Sequence, residues 1–130
     1  MKPGCYECVL KHLGDAAVNA TEAHLGYPDY WADVIGNLCQ ASEEAYQYMP
    51  ELAECIRQHR VRLIRSLIEQ TDYVPPFRAL FGFALLCARY ALKCPGQPLP
   101  AVPDELQPDG DFESNLDYWE RVSEPLSGPG

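Results

Sequence analysis

The chain is short of basic residues, of long apolar runs and of the motifs by which most enzymes are recognised. Its 130 residues carry 10 Lys and Arg against 19 Asp and Glu, for a formal net charge of −9. Phosphate binding needs clustered Lys and Arg, so nucleic acid is a poor fit as a partner. No stretch reaches the roughly 18 consecutive apolar residues of a membrane-spanning helix, and a membrane span is excluded. Met1-Lys2-Pro3-Gly4-Cys5 lacks the apolar core of a secretory leader, so a cytoplasmic location is expected. There is no Gly-rich phosphate loop, no HExxH or ExxH pair, no nucleophile elbow and no Ser-His-Asp order. None of the usual enzyme classes is signalled.

What is present is enough apolar material for one folded unit. The 47% hydrophobic content argues against disorder along the whole length, and the length suits a single domain. Charge divides the chain in two. Residues 95–130 hold eight acids and one base, Arg121, whereas residues 1–94 are nearly balanced, with eleven acids and nine bases.

Periodicity predicts helices. Val9, Leu13, Ala16, Ala17 and Ala20 form one stripe of a first helix over about 5–25, stopped by Gly26 and Pro28. Asp29 is the expected N-cap of a second, running to about Met49, with Trp31, Val34, Leu38, Ala41 and Ala45 inward. Pro50 opens a third over 51–71, with Leu52, Ile56, Leu63 and Leu67 as its stripe. Pro75-Pro76 separates it from a fourth over 77–93. That helix is apolar nearly all round, which predicts a central position. The expected fold is all-α, an antiparallel bundle of about four helices over residues 1–94. Residues 95–130 follow as an acidic proline-rich tail, with prolines at 95, 98, 100, 103 and 108 and a short amphipathic helix at 112–122.

Six cysteines stand out: Cys5, Cys8, Cys39, Cys55, Cys87 and Cys94. In a reducing compartment a CxxC pair points to metal or redox chemistry rather than a disulfide framework. Cys5, Cys8 and His12 fall within a roughly 60° arc of one helix face, if the helix includes all three. Two thiolates and an imidazole are the soft donors that zinc prefers, and a structural site needs a fourth. Folding the chain at about residues 27, 50 and 74 brings Cys55, His59, Cys87 and Cys94 to the same end of the bundle. The expected metal ligands are therefore Cys5, Cys8, His12, Cys55 and Cys94, with His59 and Cys87 as alternatives. Two other readings of the thiols stay open, buried cysteines acting as small hydrophobes and a redox dithiol at Cys5 and Cys8.

The stretch Cys5-Tyr6-Glu7-Cys8-Val9-Leu10-Lys11-His12-Leu13 resembles the opening of small helical Cys/His proteins encoded by tailed bacteriophages and other large DNA viruses. The likeness covers about the first 25 residues. It implies a phage or prophage origin, hence a host cytoplasm or a virion as location, and it implies no activity.

Two further features bear on partners. Arg57, Arg60, Arg62 and Arg65 make the third helix locally basic, but they scatter around its circumference and are expected as a solvated face, partly paired with Glu43 and Glu44. Phe112, Leu116 and Trp119 recur at helical spacing on an acidic background, as in a helix that docks into a protein partner's groove. The expectation is a zinc-stabilised, non-enzymatic module that binds another macromolecule. Its rivals are a thiol redox enzyme using Cys5 and Cys8, and a metal-free virion or assembly component.

Overall fold

The computed structural model describes residues 6–47, 49–71 and 73–107. Within them the chain forms four helices, α1 (Tyr6–His24), α2 (Tyr30–Tyr46), α3 (Pro50–Glu69) and α4 (Phe77–Lys93), and a short 3-10 turn at Asp104–Leu106. The helices pack on one another and there is no strand among the described residues, so the fold is an all-α bundle. None of these helices is long and apolar enough to cross a membrane.

Local chemistry accounts for the helix ends. Gly26 takes φ 113°, a left-handed value that costs a residue without Cβ little. It lets Tyr27 N–H reach back to the Glu22 carbonyl and Gly26 N–H to the Ala23 carbonyl, both at 3.3 Å, which closes α1. Asp29 does not cap α2 as expected. It is already helical, at φ −61° and ψ −24°, and makes no side-chain cap bond. The first amides of α2 are satisfied instead by i−3 carbonyls, Tyr30 by Tyr27, Trp31 by Pro28 and Ala32 by Asp29. Pro50 occupies the first turn of α3, where its missing N–H costs nothing.

Side-chain size then arranges the helices. Ala16, Ala20 and Ala23 of α1 and Ala41 and Ala45 of α2 are buried, and these small residues allow the two helices to approach closely. Close packing continues from α2 to α3 and from α1 to α4, which gives the lateral order α3–α2–α1–α4. The α3–α4 side carries larger groups, Leu52, Ile56, Leu63, Leu80 and Phe83, all buried. Part of what covers them comes from beyond α4. Residues 98–103 run without regular structure, and Leu99 and Val102 pack against the core. Leu106 ends this strap with 0% of its surface exposed.

Two expectations change here. The proline-rich stretch after Lys93 is extended, as its composition predicts, but its described part belongs to the core rather than to a free linker. Few prolines are needed to prevent a helix, while a single leucine suffices to anchor the chain. Nor is α4 central. Its Leu86 and Leu92 are 41% and 81% exposed, and among the described helices it packs closely on α1. The segment at 112–122 lies outside the described residues.

Candidate functional site

The expected ligands divide between two places. At the start of α1, Cys8 and His12 lie one turn apart and are both half-buried. Cys8 is disulfide-bonded. His12 turns toward α2, where its Nδ1 lies 3.3 Å from Asn37 Oδ1. The Asn37 amide nitrogen in turn donates to the Asp33 carbonyl at 3.0 Å. Cys5 lies outside the described residues, as do Phe112, Leu116 and Trp119.

The second place is the middle of α3, and its chemistry is already committed. His59 is 0% exposed. Its Nε2 donates to the Leu106 carbonyl at 2.5 Å, and its Nδ1 accepts from the Tyr73 hydroxyl. A carbonyl only accepts, so Nε2 carries a proton, and burial disfavours a second one on Nδ1. The Cys55 thiol points at the same carbonyl, 3.4 Å away. Burial moves both groups away from charge, His59 down to about 4 despite the opposing bond to Leu106, and Cys55 up to about 12. A second relay positions Tyr73. Ser66 Oγ donates to the Thr71 carbonyl at 2.6 Å and accepts from the Tyr73 amide at 3.0 Å, while the Arg62 guanidinium lies over the Tyr73 ring. The whole constellation fastens the strap to α3.

The expected convergence therefore does not occur among the described residues. Among the described residues no three of His, Cys, Asp and Glu come together as a group able to hold a metal. Cys55 and His59 belong to α3, which packs closely on α2 rather than on α1, and both side chains turn to the strap. Cys87 is buried in α4, where loss of solvent pushes its thiol up to about 11. It lines a recess of about 280 Å³ with Met49, Leu52, Phe83, Leu99 and Val102. Cys94 sits half-buried at the end of α4, its N–H bonded to the Tyr90 carbonyl at 2.8 Å. Among the described residues the proposed ligands thus fall into two separate pairs, Cys8 with His12 on α1 and Cys55 with His59 on α3, and the second pair is engaged by Leu106.

The arginines of α3 are mostly solvated, with one correction to their pairing. Arg57 grips Glu54 on its own helix at 2.6 and 2.9 Å, in place of the acids of α2. Sequence reasoning passed over Asn37 and Leu106, and read Tyr73 only as an amphipathic edge of the core. His59 carried a signal, since it continues the buried stripe of Leu52, Ile56 and Leu63, where a core histidine belongs. Leu106 carried a fainter one, as an aliphatic residue among prolines and acids. Compared with protein-family models, with curated proteins and with solved structures, the chain finds no match in any of the three.

Proposed function

We propose that the chain is a non-enzymatic helical module whose amino-terminal end is closed by zinc on Cys5, Cys8 and His12, and that it acts by binding another protein. The observation that carries this reading is the half-buried pair Cys8 and His12 on one face of α1, with the His12 ring held from α2 by Asn37. A fixed imidazole beside thiols is the donor chemistry of a structural zinc site. Because Cys8 is disulfide-bonded here, metal would enter only after reduction, when the thiolates exist. For the binding role, support comes from the α1–α2 turn. Leu25 and Tyr27 there are 70% and 58% exposed, and Tyr27 stands edge-on to Tyr30. Exposed apolar groups are informative where they adjoin one another, as Tyr27 and Tyr30 do, rather than where they are scattered singly. The phage-like opening of the chain suggests a phage or prophage setting.

The test is elemental analysis of the full chain, expressed without a histidine tag and purified with a reductant and no chelator. About one zinc per chain is expected, and Cys8→Ser should then cost several kcal/mol, since structural zinc binding is folding free energy. A metal-free protein with all thiols reduced would sink the reading. The disulfide at Cys8 favours a second one, a redox dithiol at the start of α1. Under that reading the reduced, metal-free, folded chain alkylates quickly at Cys5 or Cys8 near neutral pH. Under the first, alkylation there is slow until a chelator is added.

A further inference from the structure

The recess of about 280 Å³ between the strap and the helices has a closed floor and an open rim. Met49, Leu52, Phe83 and Cys87 form the floor and are between 1% and 3% exposed. Pro50, Glu51, Pro98 and Ala101 line it too, and all four are exposed. A small molecule can therefore enter without the bundle unfolding. An engineered core cavity of about 150 Å³ takes up benzene, so this volume suits roughly one bicyclic ring system.

The two sides of the recess differ in chemistry. The helix side supplies the Met49 thioether, the Cys87 thiol and the Phe83 ring, polarisable groups that favour an aromatic neighbour. Burial keeps the Cys87 thiol uncharged, pushing it up to about 11. The strap side supplies Pro98 and Pro100, and proline rings pack well against aromatic ones. Because Pro98, Pro100 and Pro103 lack an N–H, residues 98–103 carry six carbonyls and only three amide donors. Among the described residues the carbonyls of 98–102 accept no backbone bond. This wall has acceptors to spare and suits a ligand that brings one N–H or O–H. No Lys, Arg or His is among the described lining residues, and Glu51 stands at the rim, which disfavours an anion. The amino-terminal end of α3 opens onto the same rim, but Pro50 has no N–H to offer and Glu51 brings its own negative charge there.

We propose that the recess is a binding site for a small, uncharged aromatic molecule with one hydrogen-bond donor, seated between Phe83 and the strap prolines. The site is independent of the zinc reading. It exists only while the strap is down, since Leu99 and Val102 form part of its wall, so its ligand would also fasten the strap.

The chain has two methionines, Met1 and Met49, so methyl-¹³C methionine labelling of the full-length, reduced protein gives one signal inside the recess and one outside it. Met49→Leu assigns them. Indole should shift the Met49 methyl saturably through its ring current, with a dissociation constant on the order of 1 mM or below, and leave Met1 in place. Phenol should bind more tightly than cyclohexanol. Indole-3-carboxylate should bind about fivefold more weakly than indole-3-carboxamide, and Glu51→Gln should narrow that gap. Ala101→Trp, a change at an exposed rim position, should fill the mouth and abolish the shift. Circular dichroism shows whether that variant remains helical, and if it does not, the wild-type series and Glu51→Gln still decide. No saturable shift of Met49, equal shifts at Met1 and Met49, or unaltered binding in folded Ala101→Trp overturns the site. Phenol and cyclohexanol binding alike, or the carboxylate binding as tightly as the amide, overturns the class of ligand assigned to it.

Discussion

His59 is buried, neutral and held at both ring nitrogens, and this has a measurable consequence for acid stability. Its value in the folded chain is about 4, against 6.5 when it is exposed. Between those limits the unfolded chain binds the proton and the folded chain does not, so acid favours unfolding. The stabilisation is complete above about pH 6.5 and is lost as pH falls toward 4, for a total on the order of 3 kcal/mol. Denaturant melts over that range should show the slope, and His59→Gln should flatten it while lowering stability at neutral pH. A wild type with no slope there would contradict the burial of a neutral ring. Glu54 titrates in a separate, lower window, since Arg57 and Gln58 hold its carboxylate down to about 2. At this scale the sequence was legible in part. The 3–4-residue spacing exposed the buried leucines and alanines of α1 and α2, because periodicity encodes burial. It could not expose the partners of His59, Tyr73 and Asn37, because side-chain hydrogen bonds between elements leave no periodic trace.

The helices were readable at nearly their true lengths, Pro50 and Pro75-Pro76 being strong punctuation. The strap was not. Composition describes what a proline-rich segment cannot do, and says nothing about the one residue that fastens it. Leu106 is 0% exposed and its carbonyl takes the His59 bond, so it plugs the α3–α4 side and satisfies a buried ring at once. Leu106→Ala should cost about 2–5 kcal/mol, in the range of buried leucine truncations. A chain ending at Cys94 loses Leu99 and Val102 as well and strands His59 without its acceptor. Its melting temperature should fall by more than about 10 °C relative to a chain ending at Gln107. Thermal melts of the two compare them directly, and near-equal midpoints would show that residues 1–94 stand alone after all.

Taken whole, the bundle sorts its thiols into two groups, and this was the least legible property of the chain. Cysteines at one end of a predicted bundle looked like a single cluster because topology gives level but not direction. The packing of α3 on α2 decides that Cys55 looks toward the strap, and no local signal reports such a rotation. Cys55 and Cys87 are 1% and 2% exposed, with thiols pushed up to about 12 and 11. Cys39 and Cys94 are half-buried. Of these four, Cys39 and Cys94 should be alkylated first in the reduced native chain, and Cys55 and Cys87 only at the rate of global opening. Mass spectrometry of labelled peptides with and without denaturant checks this. Early labelling of Cys55 would mean that the strap lifts on its own.

The strap also bears on how the chain is made. Its anchor follows α4 in sequence, yet it completes a surface that α3 and α4 present as soon as they exist. Synthesis at about 5–20 residues per second leaves an interval on the order of one second between the appearance of Lys93 and that of Leu106. A bundle that formed before the strap docked would display a leucine- and phenylalanine-lined seam with a histidine at its floor. A holding chaperone would find its target in that interval, and the arrival of one leucine would end it.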